Sequence, residues 1–290
     1  MLRLHDTHSR QAEPIVPEGA RSLRLYAFGP PVHRPAHLGD LRSWLLADLI
    51  RRTAERYRLR VLACRVAVAG PPPAVGDAPG PSHEEAFLSD SVALNVRPTD
   101  YPLGADQAAD VVAGLAATDG NGRDHLTPTD AIALEAGARD GTVRWVRGGR
   151  LLFEGRELPA GRDEPGDAVR LGEVAAAGLD PLAVRLALLG HHYRREADLT
   201  WDALRSADGT LRFWRSRVAT WSEAPSAPMP ADRVARIEDA LTDDLGTPQA
   251  LRLMDELERD ETIAPGSRFE AFLHLDQILA LDLPAEIGRG

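Results

Sequence analysis

Residues 22–69 constrain the fold more than any other part of the chain. Residues 22–28 alternate polar and apolar side chains, which predicts a strand with one buried face. Three prolines within residues 29–37 exclude regular helix or a central strand. Apolar residues then recur at steps of three and four through residues 38–57, and residues 59–69 are almost continuously apolar. Strand, turn, helix and strand in this order predict a βαβ unit.

The segment after this unit is a mixture of loops and short elements. It predicts Pro/Gly-rich and polar loops over 70–81 and 118–127, helices over 83–96 and 105–117, and a β-hairpin over 142–153 that turns at Gly148-Gly149. Residues 154–170 are polar and have no clear pattern. The first part of the chain is therefore predicted to be α/β.

The last third of the chain is predicted to be helical. Pro181 suits the first turn of a helix that continues to about Gly190, and Thr200 suits the N-cap of a helix that contains Trp201 and Trp214. Further helical patterns cover 231–244, 248–260 and 267–282. We expect an α/β domain over 1–195 and an α-helical bundle over 196–290.

Composition excludes several kinds of chemistry. All 34 basic residues of the 290-residue chain are Arg, so a Schiff-base lysine and a Walker-type lysine are excluded. The net charge of −10 disfavours non-specific nucleic-acid binding. Cys64 is the single cysteine and cannot form an intrachain disulfide, which favours a reducing compartment. No apolar run is long enough to cross a bilayer and no secretory leader is visible, so a cytoplasmic protein without a membrane partner is expected.

Six segments carry a resemblance to a known family. They are LHDTHSRQAEPIVP (4–17), YAFGPPVH (26–33), PAHLGDLR (35–42), FLSDSVALNV (87–96), PLAVRLALLGHHYRR (181–195) and DDLGTPQA (243–250). In this order they resemble motifs of the cysteinyl-tRNA synthetases and of the related mycothiol cysteine ligases. The resemblance implies a Rossmann-like class I synthetase domain with a parallel sheet, which activates an amino acid with ATP as an acyl-adenylate.

The resemblance also points to a nucleotide site where the first strand meets the first helix. A helix N-terminus has free N–H groups and favours anions. His37 is expected to face the phosphates, and Gly39 to let an adenine ring approach the backbone. His33 lies beside Arg34 in the same turn. The candidate nucleotide-binding residues are Gly29, His33, His37, Gly39, Asp40 and Arg156; a solvated loop is the alternative for His33 and Arg156, and a purely structural turn for His37 and Gly39.

The chain departs from the family at residues that perform chemistry. Phe28 stands at the position of a zinc-binding cysteine, and Asp40 at that of the second signature histidine. Residues 157–161 (ELPAG) stand at the position of the family's Lys-Met-Ser-Lys-Ser loop, so Glu157 replaces one lysine. The family's Asp-rich motif and its central zinc segment have no counterpart, and His125 stands alone. Zinc binding and the charging of tRNA are therefore not expected.

Two hypotheses on function remain. One is a diverged ATP-dependent ligase that binds ATP or AMP and activates an amino acid for a small-molecule acceptor in a specialised pathway. The other is a non-catalytic paralogue that acts as a binding or regulatory partner of another protein. A tRNA-binding factor is disfavoured by the acidic composition. A closed or acid-lined pocket around His37, Gly39 and Arg156 would favour the non-catalytic protein.

Overall fold

The structure is a computed structural model that describes residues 1–31, 34–68, 83–103, 131–136, 143–158 and 168–289. Its strands are β1 (Arg3–His5), β2 (Ala12–Pro14), β3 (Ser22–Pro31), β4 (Arg60–Val68), β5 (Tyr101–Leu103), β6 (Ala131–Ala136), β7 (Val143–Arg147), β8 (Leu151–Phe153), β9 (Arg156–Glu157) and β10 (Ala197–Leu199). Its helices are α1 (Leu38–Arg56), α2 (His83–Ala93), α3 (Leu171–Ala176), α4 (Leu182–Leu189), α5 (Trp201–Trp221), α6 (Ala231–Thr242), α7 (Thr247–Arg259) and α8 (Pro265–Leu279), followed by a 3-10 turn (Leu283–Glu286). The segments 70–81, 105–117 and 118–127 lie outside the described residues.

The predicted βαβ unit is present as β3, α1 and β4. The two strands are parallel, with Leu25 opposite Ala63. Leu23 and Leu25 are almost fully buried, in the same hydrophobic core as Trp44 of α1. The alternation in residues 22–28 therefore places leucines on the face of the sheet that α1 covers.

Within the described residues, the main sheet has five strands in the order β5-β4-β3-β6-β7. β3, β4 and β5 are parallel, whereas β6 and β7 are antiparallel to their neighbours. The α/β class is thus confirmed, and the sheet is mixed. Strand β6 was not predicted, because its short, alanine-rich sequence AIALEA has no regular alternation and low strand propensity.

The predicted hairpin over 142–153 is wrong. β7 pairs with β6 in the main sheet, whereas β8 pairs with β9 and β10 in a separate three-stranded sheet. Gly148 and Gly149 do not have the positive φ angles of a two-residue hairpin turn. A Cβ atom on Gly149 would lie 2.3 Å from the carbonyl oxygen of Arg195, so this glycine serves close backbone packing. The two-residue turn lies instead at Glu154-Gly155, where φ is 50° and 75°.

The helical C-terminal third is confirmed in type and order. Thr200 caps α5, because its hydroxyl accepts a hydrogen bond from the backbone N–H of Ala203 at 3.0 Å. Helices α6, α7 and α8 fall within a few residues of the predicted spans. The division of the chain into two domains at residue 195 stays a prediction. None of the described helices combines the length and the apolar composition needed to cross a bilayer.

A buried carboxylate in the middle of α1 links it to several other elements. Oδ2 of Asp48 accepts from Nε of Arg52 at 2.7 Å and from Nη2 of Arg185 on α4 at 2.6 Å. Its Oδ1 accepts from the backbone N–H of Arg97 at 3.0 Å. Burial raises the pKa of Asp48, but the charges of Arg185 and Arg52 and the Arg97 N–H together outweigh it and hold the pKa below its usual value.

The two arginines extend this cluster to main-chain carbonyls. Arg185 donates from Nε to the carbonyl oxygen of Leu279 at 2.6 Å and from Nη1 to that of Leu94 at 3.1 Å. Arg52 donates from Nη2 to the carbonyl oxygen of Asn95 at 2.7 Å. One buried charge cluster thus connects α1, α4, the turn after α2 and the end of α8.

We expect Asp48→Asn to destabilise the fold by about 3–5 kcal/mol, because it leaves two buried guanidinium groups without their carboxylate. Urea unfolding checks this against Asp202→Asn, whose side chain is 94% exposed in an ion pair with Arg205 and whose loss should change stability by at most about 1 kcal/mol. Because the pKa of Asp48 is lowered in the folded state, its contribution is present above the ordinary carboxyl pKa and is lost as pH falls through the folded value. A cost for Asp48→Asn that grows on acidification would contradict this assignment.

We expect Gly149→Ala to destabilise the fold by about 1–3 kcal/mol, because the new methyl group meets the Arg195 backbone. Gly172→Ala is the matched control. No atom lies within 4 Å of a Cβ atom built on Gly172, which lies in α3, so alanine there should be neutral or stabilising by up to about 1 kcal/mol. Equal thermal unfolding midpoints for the two variants would show that Gly149 is not needed for close packing.

Candidate functional site

The turn between β3 and α1, residues 34–40, is termed the signature turn below. His37 is the N-cap of α1, and its Nδ1 accepts a hydrogen bond from the backbone N–H of Gly39 at 3.1 Å. Asp40 closes the reciprocal capping box, because its Oδ2 accepts from the backbone N–H of His37 at 3.0 Å. Both residues are 4% exposed. Side chains of the turn thus satisfy the N–H groups of His37 and Gly39, and the Leu38 N–H donates to the carbonyl oxygen of Val169 at 3.0 Å, so these N–H groups are not open to an anion.

Arg34 holds the carboxylate of Asp40 from the other side. Its Nη1 lies 2.7 Å from Oδ2 and its Nη2 lies 3.1 Å from Oδ1, which is a bidentate ion pair. The pair brings a negative charge to the helix end where a phosphate would be expected, and Arg34 neutralises that charge. The sequence signal for this arrangement was an Asp three residues after a helix N-cap, which is the spacing of a capping box.

Gly39 lies against the backbone of another segment. A Cβ atom on Gly39 would meet the carbonyl oxygen of Leu158 at 2.3 Å and the Cε1 atom of His37 at 2.9 Å. The close approach that a glycine permits is thus used by the chain itself. Leu158 lies in the segment predicted to replace the lysine-rich loop, so these two predicted parts of the site are brought together. An adenine ring cannot occupy the same space as the Leu158 carbonyl.

The other candidate residues have varied positions. Gly29 has φ of 93° near the end of β3, where the pairing with β4 is irregular, so its lack of a Cβ is needed there. His33 lies outside the described residues. Arg156 is an exposed residue of β9, opposite Phe153 in the hairpin. Glu157 is half-exposed and lies 3.5 Å from a guanidinium nitrogen of Arg150. The assignment of these residues to a nucleotide stays a prediction.

The position of the family's zinc-binding cysteine is occupied by an aromatic stack. Phe28 is 2% exposed and lies against Trp145 of β7, with ring centroids 6.1 Å apart and planes 20° apart. A phenyl ring offers no lone pair to a metal. Within the described parts of the chain, His, Cys, Asp and Glu side chains form no group of three that fits a metal ion. These residues do not fit the zinc site that the resemblance implies.

Three of the segments that carry the resemblance, 4–17, 181–195 and 243–250, meet at Asp244. Its Oδ1 accepts from the backbone N–H of His5 at 2.9 Å and from the hydroxyl of Tyr193 at 2.6 Å. Its Oδ2 lies 2.7 Å from a guanidinium nitrogen of Arg194. Burial and the neighbouring carboxylate of Asp244 raise the pKa of Tyr193, so its hydroxyl remains a donor. These motifs form a contact between the lead-in, the end of α4 and the helical region.

Comparison with curated proteins finds ligases of cysteine. The chain is 32% identical over 176 residues to the L-cysteine:1D-myo-inositol 2-amino-2-deoxy-alpha-D-glucopyranoside ligase of Rhodococcus erythropolis, covering 57% of this chain and 40% of that protein. It is 36% identical over 141 residues to the ligase of the same name from Acidothermus cellulolyticus, covering 47% and 33%. The alignments therefore span two fifths or less of the length of these relatives.

A longer alignment joins the chain to a tRNA ligase. Cysteine--tRNA ligase 1 of Burkholderia lata is 23% identical over 401 aligned positions, covering 97% of this chain and 84% of that protein. No protein-family model matches the chain. A solved structure described as a putative arginyl-tRNA synthetase from Campylobacter jejuni is similar to this chain, with a TM-score of 0.44 and 10% sequence identity over 93% of each chain. The predicted resemblance to cysteinyl-tRNA synthetases and mycothiol cysteine ligases is confirmed by the sequence relatives.

Replacing Asp40 by the family's histidine should destabilise the protein. Asp40→His removes the acceptor for the His37 N–H and the partner of Arg34, and we expect a loss of about 2 kcal/mol in the free energy of unfolding. Asp232→His is the control, because Asp232 lies exposed in the first turn of α6. Urea unfolding of both variants measures the difference. A stable Asp40→His protein would show that the capping box and ion pair contribute little.

Proposed function

We propose that this chain is a class I ligase homologue that does not activate amino acids and acts as a binding or regulatory protein. The observation that carries the proposal is the internal occupation of the signature turn. The Asp40 carboxylate caps the helix end, and the Leu158 carbonyl oxygen lies against Gly39. A triphosphate at this helix end would compete with the Asp40 carboxylate, which already caps the helix and pairs with Arg34.

The segment that replaces the lysine-rich loop supports the same proposal. Catalysis of adenylate formation depends on positive groups that stabilise charge on the transferring phosphate. Here Glu157 brings a negative charge and lies 3.5 Å from a guanidinium nitrogen of Arg150. Each lost donor of this kind costs about 10²–10³ in rate, and several losses together leave little activity. In addition, Phe28 stacks on Trp145 at the position where the family has a zinc-binding cysteine. This position therefore offers no ligand for a zinc ion that would bind the thiol of a cysteine substrate.

The partner in this proposal is another protein or a small molecule rather than tRNA. The net charge of −10 opposes the phosphate backbone of a nucleic acid. Arg34 of the signature turn pairs with Asp40, and Arg52 of α1 pairs with Asp48, so neither arginine is open to a phosphate backbone. What the scaffold offers a partner is a helix-rich surface and the cavities between helices.

A second function has support of its own. The relatives are named ligases of cysteine, and His37 and Gly39 lie in the strand–turn–helix arrangement that the resemblance predicts. A diverged ATP-dependent ligase would require the Leu158 segment to move away from Gly39 when nucleotide enters. Nucleotide binding therefore discriminates between the two functions.

The test measures nucleotide binding and turnover with the 290-residue chain. We expect no heat from millimolar ATP or AMP in titration calorimetry, and no ATP–pyrophosphate exchange with cysteine or any other standard amino acid. The physical reason is that the helix end and the glycine surface are already occupied. His37→Ala is the control for the site. Exchange by the unmodified protein that disappears in His37→Ala would reject the proposal and establish the ligase.

A further inference from the structure

A cavity of about 190 Å³ lies between α1 and α4, and we call it the α1–α4 cavity. Its apolar wall includes leucines from α1, from α4 and from the segment before α7; among them are Leu46, Leu49, Leu188, Leu189 and Leu245. An apolar cavity of ~150 Å³ admits a six-carbon ring. The α1–α4 cavity is therefore large enough for a small organic molecule with a hydrocarbon body.

One side of the cavity carries a buried cation. Arg42 is 9% exposed, and its guanidinium donates to main-chain carbonyls, that of Arg150 from Nη1 and those of Tyr193 (3.2 Å) and Arg195 (2.7 Å) from Nη2. These acceptors carry no formal charge. Two of its five N–H groups, Nε–H among them, have no acceptor among the described residues, and no described carboxylate forms an ion pair with it.

A second arginine in the same wall provides a comparison. Arg185 also lines the cavity, but it holds the carboxylate of Asp48 at 2.6 Å. For Arg42 burial lowers the pKa to about 10, with no opposing contribution from a carboxylate. A buried charge without a counter-charge is unfavourable, and a bound anion would remove that penalty.

We infer that the α1–α4 cavity binds a small aliphatic monocarboxylate, with its carboxylate on Arg42 and its hydrocarbon chain against the leucines. One negative charge matches the one uncompensated guanidinium. A phosphate dianion fits less well, because its second charge would have no further uncompensated cation, Glu157 also lines the cavity, and eight of the lining residues are leucines. The inference does not depend on the proposed loss of amino-acid activation, since it uses Arg42 and the leucines rather than His37 and Asp40.

Titration calorimetry with hexanoate, hexanol, hexylamine and inorganic phosphate tests the ligand class. Hexanoate should bind about ten- to a hundredfold more tightly than hexanol, because the two ligands have a similar hydrocarbon chain and the carboxylate adds a charge-assisted hydrogen bond to Arg42. Hexylamine and phosphate should bind more weakly than hexanoate. Equal affinities for hexanoate and hexanol, tighter binding of phosphate, or no binding of hexanoate at tens of millimolar would each overturn the inference.

Two substitutions locate the ligand. Leu188→Phe narrows the cavity from α4 and should weaken hexanoate binding by at least about tenfold. Leu251→Phe is the matched control, because Leu251 is also half-buried but lines a different pocket beside α5, and it should bind as the unmodified chain does. Hexanoate binding that Leu188→Phe leaves unchanged would overturn the inference.

Removal of the charge tests the role of Arg42. In Arg42→Gln, the preference for hexanoate over hexanol should fall to about one. The substitution removes the donor of three main-chain carbonyl groups, so circular dichroism first establishes that Arg42→Gln is folded. If the variant does not fold, the inference is tested by the ligand series and by the comparison of Leu188→Phe with Leu251→Phe. A folded Arg42→Gln with the full preference would contradict the inference. ATP–pyrophosphate exchange is measured separately. Exchange by the protein would reject the proposed function but would not affect the result on hexanoate binding.

Discussion

The buried carboxylate of Asp48 and the guanidinium groups of Arg52 and Arg185 form the interaction on which the packing around α1 depends. The Asp48 and Arg185 side chains are 1% and 2% exposed, so the desolvation of these charges is offset only if each polar atom finds its partner. Those partners belong to α1, α4, the turn after α2 and the end of α8. The positions of these elements are therefore coupled, and the orientation of α1 on the sheet follows from them.

The orientation of α1 in turn decides what its N-terminus presents. His37 accepts from the Gly39 N–H of the first turn, and the carboxylate of Asp40 accepts from the His37 N–H and pairs with Arg34. One turn further on, Arg42 points to three carbonyl groups and borders a cavity between α1 and α4. The helix end expected to bind a phosphate is internally satisfied, whereas the side of the same helix carries an uncompensated positive charge. The uncompensated positive charge of α1 therefore lies at the α1–α4 cavity and not at the signature turn.

The segments that resemble the cysteine ligases divide into two groups in the structure. Asn95, Arg185, Tyr193 and Asp244 lie in hydrogen-bonded clusters that join the helices and the lead-in. The departures occur at Phe28, Asp40 and Glu157, where a metal or a phosphate would require specific ligands. A scaffold can therefore persist while the residues at reacting positions change, because packing contacts and reacting groups belong to different residues.

The sequence by itself determined the βαβ unit, the helical C-terminal third and the resemblance to cysteine ligases, because these depend on local periodicity, caps and ordered motifs. It also identified His37, Gly39 and Asp40 as neighbours at a helix start. Only the tertiary structure decided that Gly39 contacts Leu158, that Gly149 contacts Arg195 and that β6 lies beside β3. These contacts join residues far apart in the chain, and a sequence pattern within one element carries no information on which distant backbone will approach it.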